Sequence, residues 1–300
     1  MIKTTTLSVT TILILTTFSG CGAAPQLTPE MKKEVGHFDS VAQLNELSQN
    51  IHKGMNQDEL LFYAPVSIEK AKEALENARE DQLKDEKMVD YLQGKKALEN
   101  AYETKKLVQK YLNDVADIDK RMKQQGTQDI FPDRYEDFKE DYKDLIITID
   151  EGKTSEALED KNEVMEEAKD LYGDAVVYRN INKARQILDK MDDEDLDDLA
   201  PQHYKIAEDV YEKARMQIKK EPDNLALIER VSKEANEAAL YAQTLAQDVF
   251  NFRGLSKDEQ EAYFAKLHKK LSKLNPKEDE NAILPLPIYE KIDYLQDFCH

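Results

Sequence analysis

Three prolines, Pro65, Pro132 and Pro201, divide this chain into repeated units, and no other feature restricts the fold as much. They stand 67 and 69 residues apart, each behind an apolar residue: Ala64, Phe131 and Ala200. Counted from each proline, positions +3, +6, +10 and +13 read Ile68, Ala71, Leu75 and Ala78 in the first unit. They read Tyr135, Phe138, Tyr142 and Leu145 in the second, and Tyr204, Ala207, Tyr211 and Ala214 in the third. Steps of three and four place such side chains on one face of a helix. Proline suits the first helical turn, where its missing N–H has no partner to lose. A recurrence of this kind means duplicated supersecondary units.

Each unit continues through a turn into a longer helix. The turns lie near Lys84-Asp85, at Glu151-Gly152-Lys153-Thr154 and at Glu221-Pro222-Asp223-Asn224. The first long helix is expected to carry a seam of Ala97, Ala101, Thr104, Val108, Tyr111, Val115, Ile118 and Met122, and the second Val164, Ala168, Leu171, Ala175 and Tyr178. The third reads Ile228, Val231, Ala235, Ala238, Ala242, Leu245, Val249 and Phe252, a heptad-like alternation. Leu171-Tyr172 and Leu240-Tyr241 share the offsets +39 and +40 and are expected to be equivalent. Nine glycines, nine prolines, no tryptophan and 34% charged residues complete the profile of long amphipathic helices. The expectation is all-α: three tandem antiparallel helical hairpins, in an elongated coiled-coil-like rod or repeat array. Helix lengths set such a rod on the order of 80–100 Å. The competing arrangement folds the long helices at Gly173 or near Asn180-Ile181-Asn182 and closes a compact bundle.

The N-terminus carries a different message. Met1-Ile2-Lys3 gives a positive start, Leu7 to Phe18 an apolar and threonine-rich core, and Ser19-Gly20 small residues before Cys21. This arrangement resembles the lipobox of bacterial lipoproteins. The resemblance implies cleavage between Gly20 and Cys21, diacylglycerol on the thiol, and acylation of the new amino group, with palmitate among the acyl chains. Gly22, where a retention aspartate stands in inner-membrane members, implies the outer membrane. An ordinary signal peptide cleaved near a cysteine is the alternative. An uncleaved anchor is disfavoured, because the apolar core is shorter than the roughly 20 residues a span needs. The division that follows is 1–20 signal peptide, 21–29 lipidated tether, and 30–64 N-terminal helix and turn. Hairpin units at 65–131, 132–200 and 201–254 come next, then 255–300 as a C-terminal helix, loop and short apolar segment. Within this scheme a first helix runs from about Pro29 to Lys53, with Met31, Val35, Phe38, Val41, Leu44 and Leu47 on one face. Ser256 and Glu259 read as a capping box opening a helix to about Lys273, followed by a loop from Asn275 to Pro287.

Charge and cysteine count exclude several classes. Without residues 1–20 the chain has 41 basic and 61 acidic side chains, a net charge of −20. That repels phosphate backbones, so nucleic acid is not an expected partner. It also opposes anionic head groups, leaving the acyl chains of Cys21 to hold the bilayer. Cys299 has no intramolecular partner once Cys21 is modified, so packing alone must stabilise the fold.

No nucleophile-and-base set appears, and each of the five histidines stands alone, so an enzyme is not expected. The run Asp192 to Asp198 offers Asp193, Asp195 and Asp197 as weak metal candidates. It lacks the glycine and the glutamate that a calcium loop needs, and reads best as a solvated turn. The tyrosines fall mainly on seams, which points to core packing. The C-terminal apolar residues Ile288, Tyr289, Ile292, Leu295 and Phe298 either fold back on the last helices or dock on a partner.

Tyr63-Ala64-Pro65 and Leu199-Ala200-Pro201, each opening an alanine-stepped helix, resemble the helical-hairpin domain of unknown function in Gram-negative envelope lipoproteins. The resemblance covers about Leu60 to Phe252 and carries over no functional residue. The expected role is a lipid-anchored, periplasm-facing scaffold without cofactors, bound to an unidentified envelope protein. A binding module for a small ligand or divalent cation is the alternative.

Overall fold

The computed structural model describes residues 38–273 together with positions 287, 288, 290 and 292. Cys21, its cleavage site, the tether, Met31, Val35 and Cys299 lie outside the described residues. Among those described the chain is all-α, without strands. The helices are α1 (Ser40–Asn56), α2 (Leu60–Tyr63), α3 (Pro65–Glu80), α4 (Lys84–Tyr111), α5 (Asn113–Gln124), α6 (Thr127–Ile130), α7 (Pro132–Asp150), α8 (Thr154–Asp193), α9 (Pro201–Lys220), α10 (Leu225–Arg253) and α11 (Lys257–Ser272). A 3-10 turn at Asp197–Leu199 precedes α9.

Each of the three prolines is the first residue of its helix, and a motif leads up to it. Six residues before each proline the backbone turns left-handed, at Glu59 (φ 55°), Gly126 (φ 66°) and Asp195 (φ 53°). The next residue, Leu60, Thr127 or Leu196, is buried. One short helical turn follows, closed by the amide of the residue before the proline. The Ala64 N–H donates to the Leu60 carbonyl at 2.8 Å, the Phe131 N–H to Thr127 at 2.8 Å, and the Ala200 N–H to Asp197 at 3.1 Å. Glycine takes the left-handed conformation freely, whereas other residues accept a cost of about 1–2 kcal/mol, least for Asp and Asn. At Glu59 and Asp195 the burial of the next residue, Leu60 or Leu196, offsets that cost, since burying an apolar side chain contributes roughly 1.5–3 kcal/mol.

The face read from the prolines is buried at eleven of its twelve positions, and Tyr204 is half-buried. The long helices follow a common register when counted from their own first residues, Lys84, Thr154 and Leu225. Positions +10, +14 and +17 are Gly94, Leu98 and Ala101; Val164, Ala168 and Leu171; and Ala235, Ala239 and Ala242, all of them buried. This register corrects the expected equivalence of Leu171-Tyr172 with Leu240-Tyr241. The first pair is buried, whereas Leu240 and Tyr241 are 53% and 59% exposed. α8 starts 22 residues after Pro132 and α10 starts 24 after Pro201. Two extra residues rotate a helical position by about 200°, from core to solvent. The same rotation leaves Ala238 only half-buried and puts Ala239 in the seam.

Other expectations need smaller corrections. The helix expected to run unbroken from Pro29 to Lys53 is interrupted at residues 38–39 and opens at Ser40, because Asp39 has extended geometry and its carboxylate accepts from the Val41 and Ala42 amides at 3.2 and 3.1 Å. Its core face is Leu44, Leu47, Ile51 and Gly54, with Val41 71% exposed. The first long helix breaks at Leu112, which is fully buried in the place assigned to Tyr111. α8 runs through Gly173 and Asn180-Ile181-Asn182 without interruption, and Tyr178 lies on its exposed side.

Contacts divide the chain into two compact units: the chain up to Tyr111 with Ile146–Ala157, and Leu112–Leu145 with the residues from Leu158 onward. In the first, Leu44, Leu47 and Ile51 of α1 share a core with Leu60, Ile68, Leu75, Leu98 and Ala101. In the second, Tyr135, Phe138 and Tyr142 form a ladder along α7, with centroids 6.2 Å apart at both steps.

Candidate functional site

Polar pins within each compact unit define which helix faces are occupied. In the first unit Asp150, the last residue of α7, accepts from the Ser67 N–H at 2.8 Å, the Ser67 hydroxyl at 2.5 Å and the Thr104 hydroxyl at 3.1 Å. Ser67 is the third residue of α3, and the cap of that helix, Ala64, has no side-chain acceptor. A helix N-terminus leaves amides without partners and favours negative charge. Asp150 thus supplies the cap that the Ala-Pro opening lacks.

In the second unit the corresponding place belongs to a cation. Lys219 of α9 binds Asp170 and Asp174 of α8 at 2.6 and 2.8 Å, and Arg134 of α7 binds the same two carboxylates at 3.2 and 2.9 Å. Burial works against the charge of Asp174, but hydrogen bonds from Lys219 and Arg134 outweigh it and hold its pKa below the usual carboxylate value. Burial likewise opposes the charge of Lys219, and the two aspartates reverse the balance and raise its pKa. Gly173 faces Lys219 here, and a Cβ at that position would meet the Lys219 Cα at an ordinary contact distance of 3.5 Å. At the turn after α9, Asp223 accepts from the Tyr172 hydroxyl at 2.7 Å and from Arg121 at 2.6 Å. Burial and that carboxylate push the Tyr172 hydroxyl up to about 12. A groove of about 960 Å³ beside this pin is lined by Arg134, Glu163, Glu166, Lys169, Asp170 and Lys220, with charges of both signs.

Both pins occupy one register. Asp150 and Lys219 stand 18 residues after Pro132 and Pro201, and their partners Thr104 and Asp174 stand 20 residues into α4 and α8. Sequence reading passed over both, because one acid among 61 and one base among 42 carry no signal on their own. Aligning the units from the prolines and from the long-helix starts together is what singles them out.

Asp119 of α5 is the most enclosed carboxylate, taking hydrogen bonds from Lys123 at 2.8 Å, the Tyr135 hydroxyl at 2.7 Å and Lys139 at 3.0 Å. Its burial opposes ionisation, yet these three donors keep its pKa lowered. The arrangement has structural logic: the carboxylate ties α5 to α7 through Tyr135 and Lys139.

The acidic run resolves into backbone geometry. Asp193 ends α8, Asp195 is the left-handed residue of the third opening, and Asp197 begins the 3-10 turn. Among the described residues no three His, Cys, Asp or Glu side chains gather as metal ligands would. His52 is exposed and His203 stacks edge-on against Tyr241 at 5.3 Å.

Apolar exposure is concentrated at the far end of the chain. Ile206, Leu240, Tyr241, Phe250, Tyr263 and Phe264 are all exposed, while the same stretch of α8 is largely covered. Tyr241, Leu245, Asp248 and Phe252 form one stripe along α10. His203 borders it at one end, and Tyr263 and Phe264 of α11 lie 5.7 and 5.3 Å from Phe252 at the other. In α8 the same register holds Asp170, Asp174, Val177 and Ile181, and there α9 lies across it through Lys219. No described helix is long and apolar enough to cross a membrane. The chain matches no protein-family model, no curated protein and no solved structure.

Proposed function

We propose that this protein is an outer-membrane lipoprotein, anchored through acylated Cys21 and facing the periplasm, that serves as a non-enzymatic scaffold for another envelope protein. The observation that carries the scaffold reading is the exposed apolar and aromatic surface of α9, α10 and α11. Apolar patches of this kind, rimmed by polar residues, mark protein contact sites. The anchoring reading rests on the stretch from Lys3 to Cys21 and its resemblance to the lipobox. The likeness of the Ala-Pro openings to envelope-lipoprotein hairpins supports the same compartment.

Two measurements test the proposal. The native protein should enter the detergent phase on extraction, and Cys21→Ala should move it to the aqueous phase; a native protein that stays aqueous ends the anchoring reading. A photo-crosslinking residue at Phe264 should yield a discrete envelope-protein adduct in cells, while one at Glu229 should not. Equal or absent adducts at the two positions would remove the scaffold reading.

A further inference from the structure

α11 carries a charge pattern that the rest of the chain avoids. Residues 262–277 contain five lysines and no acid, the longest acid-free stretch after Glu30 in a chain of net charge −19. Lys266, Lys269 and Lys270 are exposed on α11, and Lys273 is exposed just beyond its end. Spacings of three, four and seven residues place all four on one helical face. The acids of α11, Asp258, Glu259 and Glu261, are confined to its start, where Glu259 closes the capping box with Ser256.

Elsewhere exposed lysines pair with a carboxylate three or four residues away, as Lys72 does with Glu69, Lys106 with Glu103 and Lys205 with Asp209. Lys266, Lys269 and Lys270 have no acid at either spacing and have lysine there instead. Like charges so spaced weaken a helix. The helix dipole favours Lys269 and Lys270 in the last turn, but not Lys266 one turn earlier. Tyr263 stands three residues before Lys266 and seven before Lys270, so it borders the lysine face. Its ring stays 47% exposed even with Phe252 at 5.7 Å. Phe264 and Leu271 fall on the opposite side of the helix.

We infer that α11 binds the surface of an anionic lipid bilayer through Lys266, Lys269, Lys270 and Lys273, with Tyr263 at head-group level. Helices with lysines beside aromatic residues lie in the plane of such an interface, and tyrosine suits it with an apolar ring and a polar tip. The net negative charge opposes the approach, but screening confines that repulsion to about 8 Å at physiological salt, and the lysines act at contact. A bilayer fits this face better than an acidic protein. Arginine is the residue that grips a defined carboxylate, and α11 has none. Lysines on flexible stems are mobile point charges, matched to a diffuse sheet of head groups. The contact requires neither the acylated cysteine nor a protein partner, since Phe264 lies away from it.

Vesicle cosedimentation of Cys21→Ala protein tests this apart from the anchor, because that variant has no thiol at residue 21 to acylate. Vesicles of phosphatidylcholine alone give the baseline, which takes up any binding through other apolar segments. With one third phosphatidylglycerol, binding should be at least about fiftyfold tighter, since each lysine at an anionic surface strengthens it roughly fivefold. Lys266→Gln with Lys270→Gln should lose at least about tenfold of that gain, and glutamine keeps the helix propensity. Lys72→Gln with Lys106→Gln, which changes the net charge equally, should stay within about twofold of the parent. Equal binding to the two kinds of vesicle would overturn the inference. An equal loss from the Lys72 and Lys106 pair would also overturn it, because net charge and not α11 would then be responsible. Tighter binding to soluble polyglutamate than to the anionic vesicles would overturn it in favour of an acidic protein.

Discussion

The two pins do the same mechanical work with opposite chemistry. Asp150 meets an amide and two hydroxyls, whereas Lys219 meets two carboxylates that Arg134 already shares. Both stand at the same register, so the place of each pin is set by helix length and apolar face. The polar pair is a local solution fitted into that geometry. The Asp150 pin completes a helix N-terminus and leaves no competing charge. The Lys219 pin is a four-charge network whose members keep 20–53% of their side-chain surface exposed.

That difference predicts unequal responses to damage. Asp150→Ala removes three hydrogen bonds to a charged group and uncaps α3. It should cost about 2–3 kcal/mol in urea unfolding, with Asp150→Asn intermediate because the amide oxygen can still accept from Ser67. Lys219→Met should cost less, about 1 kcal/mol, since Arg134 remains and solvent screens the network. Raising salt from 0.05 to 0.5 M should shrink the Lys219→Met difference and leave the Asp150→Ala difference nearly unchanged. Equal salt responses would remove the distinction between the two chemistries.

Acid separates the two compact units further. In the first, burial of Asp90, then its hydrogen bond with Asp81 and repulsion from Asp81 and Glu86, push its pKa up to about 6. The folded state therefore binds this proton more tightly than the unfolded chain. The stabilisation is full below about pH 4 and is lost as pH rises through 6. In the second unit Asp119 and Asp174 are held down, so their contribution is present above about pH 4 and is lost as pH falls through their folded values. Hydrogen exchange should show α3 and α4 better protected at pH 5 than at pH 7. Protection in α7 and α8 should hold until below pH 4. Asp90→Asn should abolish the first effect, and its persistence would assign the slope to another group.

Two glycines give the smallest contrast. A Cβ at Gly94 would lie 3.0 Å from a Leu47 methyl and 3.3 Å from the Ala71 carbonyl oxygen, and the backbone atom cannot give way cheaply. At Gly173 the nearest atom is at an ordinary 3.5 Å. Gly94→Ala should lower stability by about 1 kcal/mol, while Gly173→Ala should raise it by about 0.5 kcal/mol through helix propensity. The reverse order in thermal melts would place the close approach elsewhere.

Much of this architecture was legible in the sequence, and the exceptions have physical causes. The proline-counted face was readable because proline fixes a helix start, and only Tyr204 falls short of burial. The left-handed residue six before each proline was not, because Glu59, Gly126 and Asp195 share a backbone conformation but no side-chain chemistry. Leu240-Tyr241 was misplaced because a short helix and a turn that are each one residue longer shift the register without altering the composition around it. Leu245 and Phe252 were read as seam and are half-buried, with Phe252 packed against Tyr263 and Phe264 of α11.

The central claim is that the two pins occupy a single register, and double-mutant cycles across both pins test it most directly. Thr104→Val with Asp150→Ala probes the first pin, and Asp174→Asn with Lys219→Met the second. Each cycle should return a coupling of about 1–2 kcal/mol in urea unfolding, with the first insensitive to salt and the second reduced by it. Additivity within about 0.3 kcal/mol in both cycles would contradict the account.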